Sequence, residues 1–295
     1  MVNLKIGSRK RTLEIFRGAL HPQRRDRDFQ RSRGKVICSR EDRGICETLL
    51  RSAEERGDHG KPLSELVLAA GRHFLGAPYD ADTLEREGPE EFIVNLRGFD
   101  CVTFVENSVV LAGLIRSGRT AFDDYTAALE RIRYRRGRCD GFASRLHYFT
   151  DWLYNNGRKG LVHDITREIG GVPLRKMFHY LTDRREDHPG LSDPSAFRRL
   201  RIIEGICSRR RLFFIPKAYL EKAEQGLTDG DLIAITTDER GLDVCHTGLA
   251  VRLRGQIHLL HASSAAGRVV LSEIPLDRYL LMRRSRTGII VGRAI

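Results

Sequence analysis

The sequence of 295 residues predicts an α+β domain, with its helices first and its β-strands last. From residue 36 to about residue 134, apolar side chains recur at the spacing of buried helix faces. The last third instead contains short runs of β-forming residues bounded by glycine and charged turns, at 231–236, 246–253, 256–262 and 268–271. Their close spacing predicts an antiparallel meander.

The helical part divides into four segments. Two helices are expected between residues 36 and 73, separated near 57–62, and a polar loop follows at 80–91. A central helix should begin at Cys101, and a further one should cover 122–134. The arginine-rich stretch at 183–211 is typical of a solvated helical excursion, and we assign it no chemistry.

The central helix carries the first candidate for chemistry. It is apolar on nearly all sides, which predicts a buried helix, with Asp100 as its cap and Gly118 as its stop signal. Cys101 would then lie in the first turn, where free N–H groups and the helix dipole favour a thiolate. The sequence therefore offers Cys101 as a nucleophile. The alternative is a small buried hydrophobic residue, as most cysteines are.

Two histidines of the predicted meander can be related by register. If Arg254 and Gly255 form a two-residue turn, His246 and His261 become diagonal neighbours on one face of the sheet. Placing that face against the start of the central helix would bring a thiol, a base and an orienting group together in series. The alternative is a pair of half-buried structural histidines.

A zinc site is the alternative function for the cysteine and histidine residues of these strands. Its ligands would be Cys245, His246, His258 and His261, but a side-chain period of two sends them to both faces of the sheet. The six cysteines also contain no C-x-x-C pair. We therefore expect free thiols, no metal and no disulfide framework.

The basic charge is concentrated at the N-terminus. Residues 1–40 contain twelve Lys/Arg and three Asp/Glu, so +9 of the net charge of +12 lies there and about +3 lies in the rest. We predict a disordered arm at 1–36 and a single domain at 37–295. A nucleic-acid-binding protein is the alternative from another class, which the nearly neutral body disfavours. No apolar run approaches the ~20 residues that a membrane span needs.

The segment 141–152 mixes aromatic with polar side chains. A buried amphipathic helix explains the aromatic residues but not Arg145, His147 and Asp151 beside them. The segment is therefore a candidate for one wall of a substrate pocket.

Several motifs resemble the NlpC/p60 cysteine hydrolases. Phe99-Asp-Cys101, His246-Thr-Gly-Leu-Ala250 and Leu260-His-Ala-Ser263 resemble the three catalytic segments, and Gly76-Ala-Pro-Tyr79 resembles the tyrosine segment that precedes them. Longer motifs are similar to the N-acetylmuramoyl-L-alanine amidase-like branch, once catalogued as a domain of unknown function: Asn95-Leu-Arg97, Asp100-Cys-Val-Thr-Phe-Val-Glu106, Ser144-Arg-Leu-His-Tyr-Phe-Thr-Asp-Trp152, Gly241-Leu-Asp243 and His261-Ala-Ser-Ser264. The resemblance runs from about residue 37 to the C-terminus.

The resemblance implies a papain-like fold with a large helical insertion at about 119–226. Carried onto matching positions, Cys101 is the nucleophile, His246 the base, His261 the orienting residue, and Tyr79 a substrate-positioning or oxyanion-stabilising residue. The side chains expected to line the substrate cleft are Arg145, His147, Tyr148 and Asp151.

The activity implied is metal-free and cofactor-free cleavage of peptidoglycan fragments, at the amide between N-acetylmuramic acid and L-alanine. The alternative is an endopeptidase that cuts within the stem peptide, for instance after D-glutamate. The basic arm lacks the apolar core of a signal peptide, so the sequence alone predicts a cytoplasmic protein. Relatives usually carry an export signal at this place, which would instead indicate the cell envelope.

Overall fold

An antiparallel sheet of eight strands forms the centre of the part of the chain described by the structure, a computed structural model covering residues 36–81, 83–85 and 88–295. The bounds in chain order are β1 Val36–Ile37, α1 Arg40–Glu55, α2 Leu63–His73, β2 Phe92–Ile93, α3 Cys101–Arg116, α4 Phe122–Arg133, α5 Phe149–Arg158, β3 Val162–Asp164, β4 Val172–Leu174, α6 Tyr180–Asp183, α7 Pro194–Ser208, β5 Leu212–Pro216, α8 Leu220–Ala223, β6 Leu232–Thr237, β7 Val244–Leu253, β8 Gln256–Ser263, β9 Arg268–Leu271, α9 Leu276–Leu281 and β10 Arg286–Ala294.

The strand order is β4-β5-β10-β6-β7-β8-β9, with β3 paired to one end of β10. All these pairs are antiparallel, whereas β1 and β2 form a separate parallel pair. Helices thus precede the main meander, and the predicted α+β class is confirmed.

In the described residues, no helix is long and apolar enough to cross a bilayer. The predicted basic arm, apart from Val36, lies outside the described residues.

The predicted hairpin register is confirmed. Leu253 lies opposite Gln256, and the ladder continues in the same register to Leu249 opposite Leu260. Arg254 and Gly255 form the two-residue turn, with φ of 50° and 87°. Both values lie in the left-handed region that a type I′ turn requires, and this turn matches the natural twist of paired strands.

The central helix begins and ends where the sequence predicts. Asp100 accepts a hydrogen bond from the Thr103 N–H at 2.6 Å, and the Thr103 hydroxyl accepts one from the Asp100 N–H at 3.0 Å. This reciprocal cap satisfies two N–H groups at the helix start. After Arg116, Gly118 takes a φ of 64°, which a glycine adopts at little cost. Most residues between these ends are buried.

Two apolar cores lie on the two faces of the sheet. Leu249 and Leu260 point into the larger core, together with α2 and α3. Ala250 and Leu259 point into the smaller core, together with α9. Because side chains alternate along a strand, even-numbered residues of β7 and odd-numbered residues of β8 lie on the α9 face.

The segment 119–226, which the resemblance implied to be helical, also contains strands β3, β4 and β5. The run Leu212–Pro216 pairs with β10, more than 70 residues later in the chain. Sequence periodicity did not reveal this strand because its stabilisation comes from a distant partner. The arginine-rich stretch before it is helical mainly in α7.

A buried ion pair ties α3 to its neighbours. Arg133 at the end of α4 contacts the Glu106 carboxylate at 2.7 Å, and both side chains are 3% exposed or less. Arg133 also donates to the Ile93 carbonyl, and Trp152 donates to Glu106 at 3.1 Å. The aromatic Trp152 is thus part of a fully buried network.

Replacing Arg133 by methionine should lower the free energy of unfolding by about 3–5 kcal/mol, because Glu106 would remain buried without its counter-ion. Chemical denaturation measures the loss. Arg131→Met is the matched control, since Arg131 lies on the same helix but is exposed. The double variant Arg133→Met/Glu106→Gln should regain part of the stability, and a loss below 1 kcal/mol in the single variant would contradict the assigned role.

Candidate active site

Two imidazole rings, one from β7 and one from β8, lie side by side on the sheet. His246 Nε2 lies 2.6 Å from His261 Nδ1, with one ring nitrogen donating and the other accepting. The ring planes are nearly perpendicular, at 87°. His261 is buried and His246 is half-buried. The predicted proximity of these two histidines is therefore confirmed, and the bond leaves Nδ1 of His246 available for a second partner.

The thiol of Cys101 lies against the neighbour of His246. The Thr247 hydroxyl donates to the Cys101 carbonyl oxygen at 2.6 Å, and hydrogen bonding from Thr247 acts to lower the pKa of the Cys101 thiol. Cys101 itself is half-buried as the first residue of α3. The start of α3 is thereby bonded to β7 at Thr247, the residue that follows His246.

The expected packing of the histidine face on the helix is wrong. Helix α3 packs on the sheet face that carries Leu249 and Leu260, whereas His246 and His261 lie on the face of α9. The cause is that successive side chains of a strand point to opposite faces of the sheet, so Thr247 and His246 lie on different faces. The thiol meets the strand through Thr247 rather than through a face shared with the histidines.

The expected lowering of the thiol pKa is also wrong. Burial and, less strongly, the neighbouring Asp100 carboxyl raise the pKa of Cys101 to about 12, although hydrogen bonds from Thr247 act in the opposite direction. The effect of burial on the pKa of the thiol is thus larger than the opposite effect expected from the start of the helix. The Asp100 carboxyl does turn into the cap, and burial raises its own pKa. The resting residue is a thiol, so it needs a base at the moment of attack.

Both histidines are neutral and can therefore accept a proton. Burial, the neighbouring His261 and the Arg286 guanidinium lower the pKa of His246 to about 3. Burial and Arg286 lower the pKa of His261 to about 4. An ordinary histidine has a pKa near 6.5, so this pair is neutral well into the acidic range.

Activity should therefore persist as the pH falls through 6, where an ordinary histidine base would become half protonated. The rate should decline only as the pH approaches the pKa values of about 3 and about 4 of the pair. Activity is retained at acidic pH because a lowered pKa keeps the imidazole in its neutral, proton-accepting form. A pH–rate profile, with circular dichroism at each pH to confirm folding, measures this, and half-maximal activity near pH 6.5 would contradict it.

Tyr279 packs against the pair and Arg286 packs on Tyr279, and sequence reasoning missed both residues. The Tyr279 ring lies 5.5 Å from that of His261 and 6.3 Å from that of His246. The Arg286 guanidinium lies 4.0 Å above the Tyr279 ring. Neither residue belongs to a local motif, since α9 and β10 reach the site only through the tertiary fold.

Tyr79 lies beside the segment that leads to the thiol. It pairs with Phe99 in a parallel bridge, and its N–H donates to the Gly267 carbonyl at 2.9 Å. The backbone of Tyr79 therefore lies between two segments. One contains Phe99, two residues before Cys101, and the other is the turn after β8. The role of its side chain toward substrate stays a prediction.

Arg145 and His147 are held mainly by other protein groups. The Arg145 guanidinium contacts Glu85 at 3.0 Å and Glu90 at 3.1 Å. His147 Nε2 bonds the Phe142 carbonyl at 2.8 Å, and burial together with Arg145 lowers its pKa. Glu85 belongs to the loop that follows Tyr79, so Arg145 connects the aromatic segment to that loop.

Tyr148 and Asp151 connect α5 to its surroundings instead. The Tyr148 hydroxyl donates to Glu204 at 2.7 Å, and Asp151 forms ion pairs with Arg135 at 2.5 Å and Arg210 at 2.6 Å. Both side chains are almost completely buried. In the part of the chain that the structure describes, their hydrogen bonds and ion pairs do not reach Cys101 or the histidine pair. Their role toward substrate stays a prediction.

The zinc alternative finds no support in the donor arrangement. His258 Nδ1 bonds the Ser272 carbonyl at 2.9 Å, and Cys245 lies at a bulge of β7. Within the described ranges, no three His, Cys, Asp or Glu side chains converge in a group that could hold a metal ion.

Cys101 and the His246–His261 pair are the candidate catalytic groups of this α+β domain. The chain belongs to the AmiA-like family, described as N-acetylmuramoyl-L-alanine amidase-like, whose family model matches residues 69–289. It is an amidase-like member of a peptidoglycan hydrolase family.

Solved structures agree in fold. An N-acetylmuramoyl-L-alanine amidase from Bacteroides uniformis is 34% identical, with a TM-score of 0.74 over 79% of this chain and 99% of that chain. A Bacteroides fragilis protein named as a candidate xylanase is 37% identical, with a TM-score of 0.72 over 77% and 99%. A Legionella pneumophila protein, 19% identical with a TM-score of 0.64 over 85% and 95%, shares the fold. No curated protein matches the chain.

Proposed function

We propose that this protein cleaves the amide between N-acetylmuramic acid and L-alanine in peptidoglycan fragments, with Cys101 as nucleophile, His246 as base and His261 as orienting residue. The papain-like NlpC/p60 fold and a single catalytic domain at 37–295 are part of this proposal. One observation carries it: an imidazole pair joined at 2.6 Å, with His246 next in the chain to Thr247, whose hydroxyl donates to the backbone carbonyl of Cys101.

The first half of the reaction forms a thioester. Nδ1 of His246 accepts the thiol proton while the sulfur attacks the lactyl carbonyl carbon of the muramoyl sugar. The oxyanion receives a hydrogen bond from the Cys101 N–H, with Tyr79 beside it. The protonated His246 then gives its proton to the L-alanine nitrogen, the C–N bond breaks, and the stem peptide leaves with a free amino terminus.

The second half restores the enzyme. His246 accepts a proton from water, and the resulting hydroxide attacks the thioester carbonyl. The C–S bond breaks, the lactyl group leaves as a carboxylic acid, and the sulfur recovers its proton from His246. His261 holds the ring of His246 in one tautomer and orientation throughout.

The bond assignment draws its support from the family and from the Bacteroides uniformis amidase. An endopeptidase would need a free cation near the nucleophile to hold the carboxylate of D-glutamate. Arg145, the candidate for that task, already contacts Glu85 and Glu90, which weakens the endopeptidase alternative. Burial of Tyr148 and Trp152 equally removes them as sugar-stacking surfaces, so the contacts to the sugar must come from other residues.

A xylanase activity receives no support from the residues at the thiol. Glycoside hydrolases place two carboxyl groups about 5–9.5 Å apart on either side of the bond they cut. The carboxyl group next to Cys101 belongs to Asp100, which is bound into the helix cap. The nucleic-acid-binding alternative rests on the basic arm, of which residues 1–35 lie outside the described residues.

Digestion of purified disaccharide-tetrapeptide, with mass spectrometry of the products, tests the proposal. We expect an intact stem peptide with a free L-alanine amino terminus and a sugar with a free lactyl carboxylate. New diamino-acid amino termini, with L-Ala-D-Glu still on the sugar, would assign the protein to the endopeptidases. No cleavage of either bond would overturn the proposed hydrolase.

A further inference from the structure

We infer that Arg286, seated on the ring of Tyr279, is a positioning residue that keeps the His246–His261 pair neutral and fixed in orientation. This inference rests on the proposed function, since a neutral pair matters only if His246 serves as a base. It concerns residues from α9 and β10 that none of the sequence motifs contains.

The geometry joins these residues in a stack. The Arg286 guanidinium lies 4.0 Å over one face of the Tyr279 ring and donates to the Tyr279 backbone carbonyl. The same ring meets His261 at 5.5 Å with an interplanar angle of 72°. Arg286 thus fixes Tyr279, and Tyr279 packs against the residue that orients the proposed base.

The charge of Arg286 is not neutralised locally. Among the residues that the structure describes, no carboxylate forms an ion pair with it. It helps to lower the pKa of His246 and His261, and it opposes the rise that burial causes in the pKa of Cys245 and Tyr279, so its positive charge acts on all four groups. A second proton on the imidazole pair would therefore meet repulsion from Arg286.

The other groups around the pair do not replace this charge. From α9 comes the neutral Tyr279, and from β7 the thiol of Cys245, which also feels Arg283. From the start of α3 come the Cys101 thiol and the capped Asp100. Arg286 is the cation that lowers the pKa of both histidines, and burial is the other cause they share.

The test removes the charge and follows the titration of the pair. Arg286→Gln removes it and Arg286→Lys keeps it. Arg284→Gln is the matched control, because Arg284 is exposed in the turn just before β10. Arg286→Met preserves aliphatic packing against Tyr279 and replaces the glutamine variant if that protein does not fold. The imidazole pKa values are read by NMR of histidine-labelled protein, assigned with His246→Gln and His261→Gln, alongside pH–rate profiles on disaccharide-tetrapeptide.

We expect the uncharged variants to raise the pKa of the pair, and the acid limb of the pH–rate profile, by about one pH unit or more. Arg286→Lys should shift them by less than half as much, and Arg284→Gln not at all. Unchanged imidazole pKa values in a folded Arg286→Gln or Arg286→Met protein would overturn the inference. If wild-type protein cleaves no muropeptide, the proposed function fails, while the NMR titration still decides the role of Arg286.

Discussion

Replacing Cys101 by alanine is expected to abolish muropeptide hydrolysis while the protein stays folded. The thiol supplies the only covalent step of the proposed reaction, and its loss leaves the base with nothing to activate. Removing one sulfur atom from a half-buried position should cost about 1 kcal/mol, so the melting temperature should fall by only a few degrees.

The matched control for this change is Cys245→Ala. Cys245 precedes His246 in β7 but is exposed, and no step of the proposed reaction uses it. Product release followed by mass spectrometry, with thermal unfolding in parallel, compares the two variants. More than a few per cent of activity in folded Cys101→Ala protein, or equal losses in both variants, would remove Cys101 from the role of nucleophile.

The histidines should differ in the size of their effects. His246→Ala should reduce kcat as strongly as loss of the thiol, because no other side chain takes up the proton of a thiol whose pKa is about 12. His261→Ala should cost less, about 10²–10⁴-fold, since an orienting residue moves no proton itself.

His258→Ala provides the comparison within the same hairpin. His258 is also buried, but it lies on the α3 face and bonds the Ser272 carbonyl. Its replacement should affect stability more than kcat. Single-turnover kinetics on the three variants would contradict the assignment if His246→Ala and His261→Ala both kept near-wild-type rates, or if His258→Ala were the most damaging change.

The histidine pair could be predicted because a two-residue turn fixes the register of a hairpin. Once Leu253 lies opposite Gln256, the relative positions of His246 and His261 follow from the period of two. The start of α3 was equally predictable, since Asp100 and Thr103 form their cap from residues three apart.

The sequence did not predict which face of the sheet the helix covers. The apolar residues Leu249 and Ala250 are adjacent in the chain, and both faces of this strand are buried. A strand that is buried on both sides carries no alternation from which its outer face could be recognised. For the same reason Thr247, which contacts Cys101 directly, was not distinguished from its neighbours.

Burial also explains the other differences. Trp152 and Tyr148 could have lined a pocket on their residue types alone, but their partners Glu106 and Glu204 lie 46 and 56 residues away. The raised pKa of Cys101 has the same origin, because desolvation depends on the whole surrounding fold. Arg286 reaches the site only because β10 pairs with β6 beside β7.

The most direct test of the central claim is the mass of the covalent intermediate. His261→Ala protein, mixed with disaccharide-tetrapeptide and quenched in acid within one turnover, should carry the muramoyl sugar as a thioester on Cys101. Intact-protein mass spectrometry gives the added mass, and peptide mapping locates it. An adduct that contains stem-peptide residues instead of the sugar, or one attached at another residue, would contradict the account.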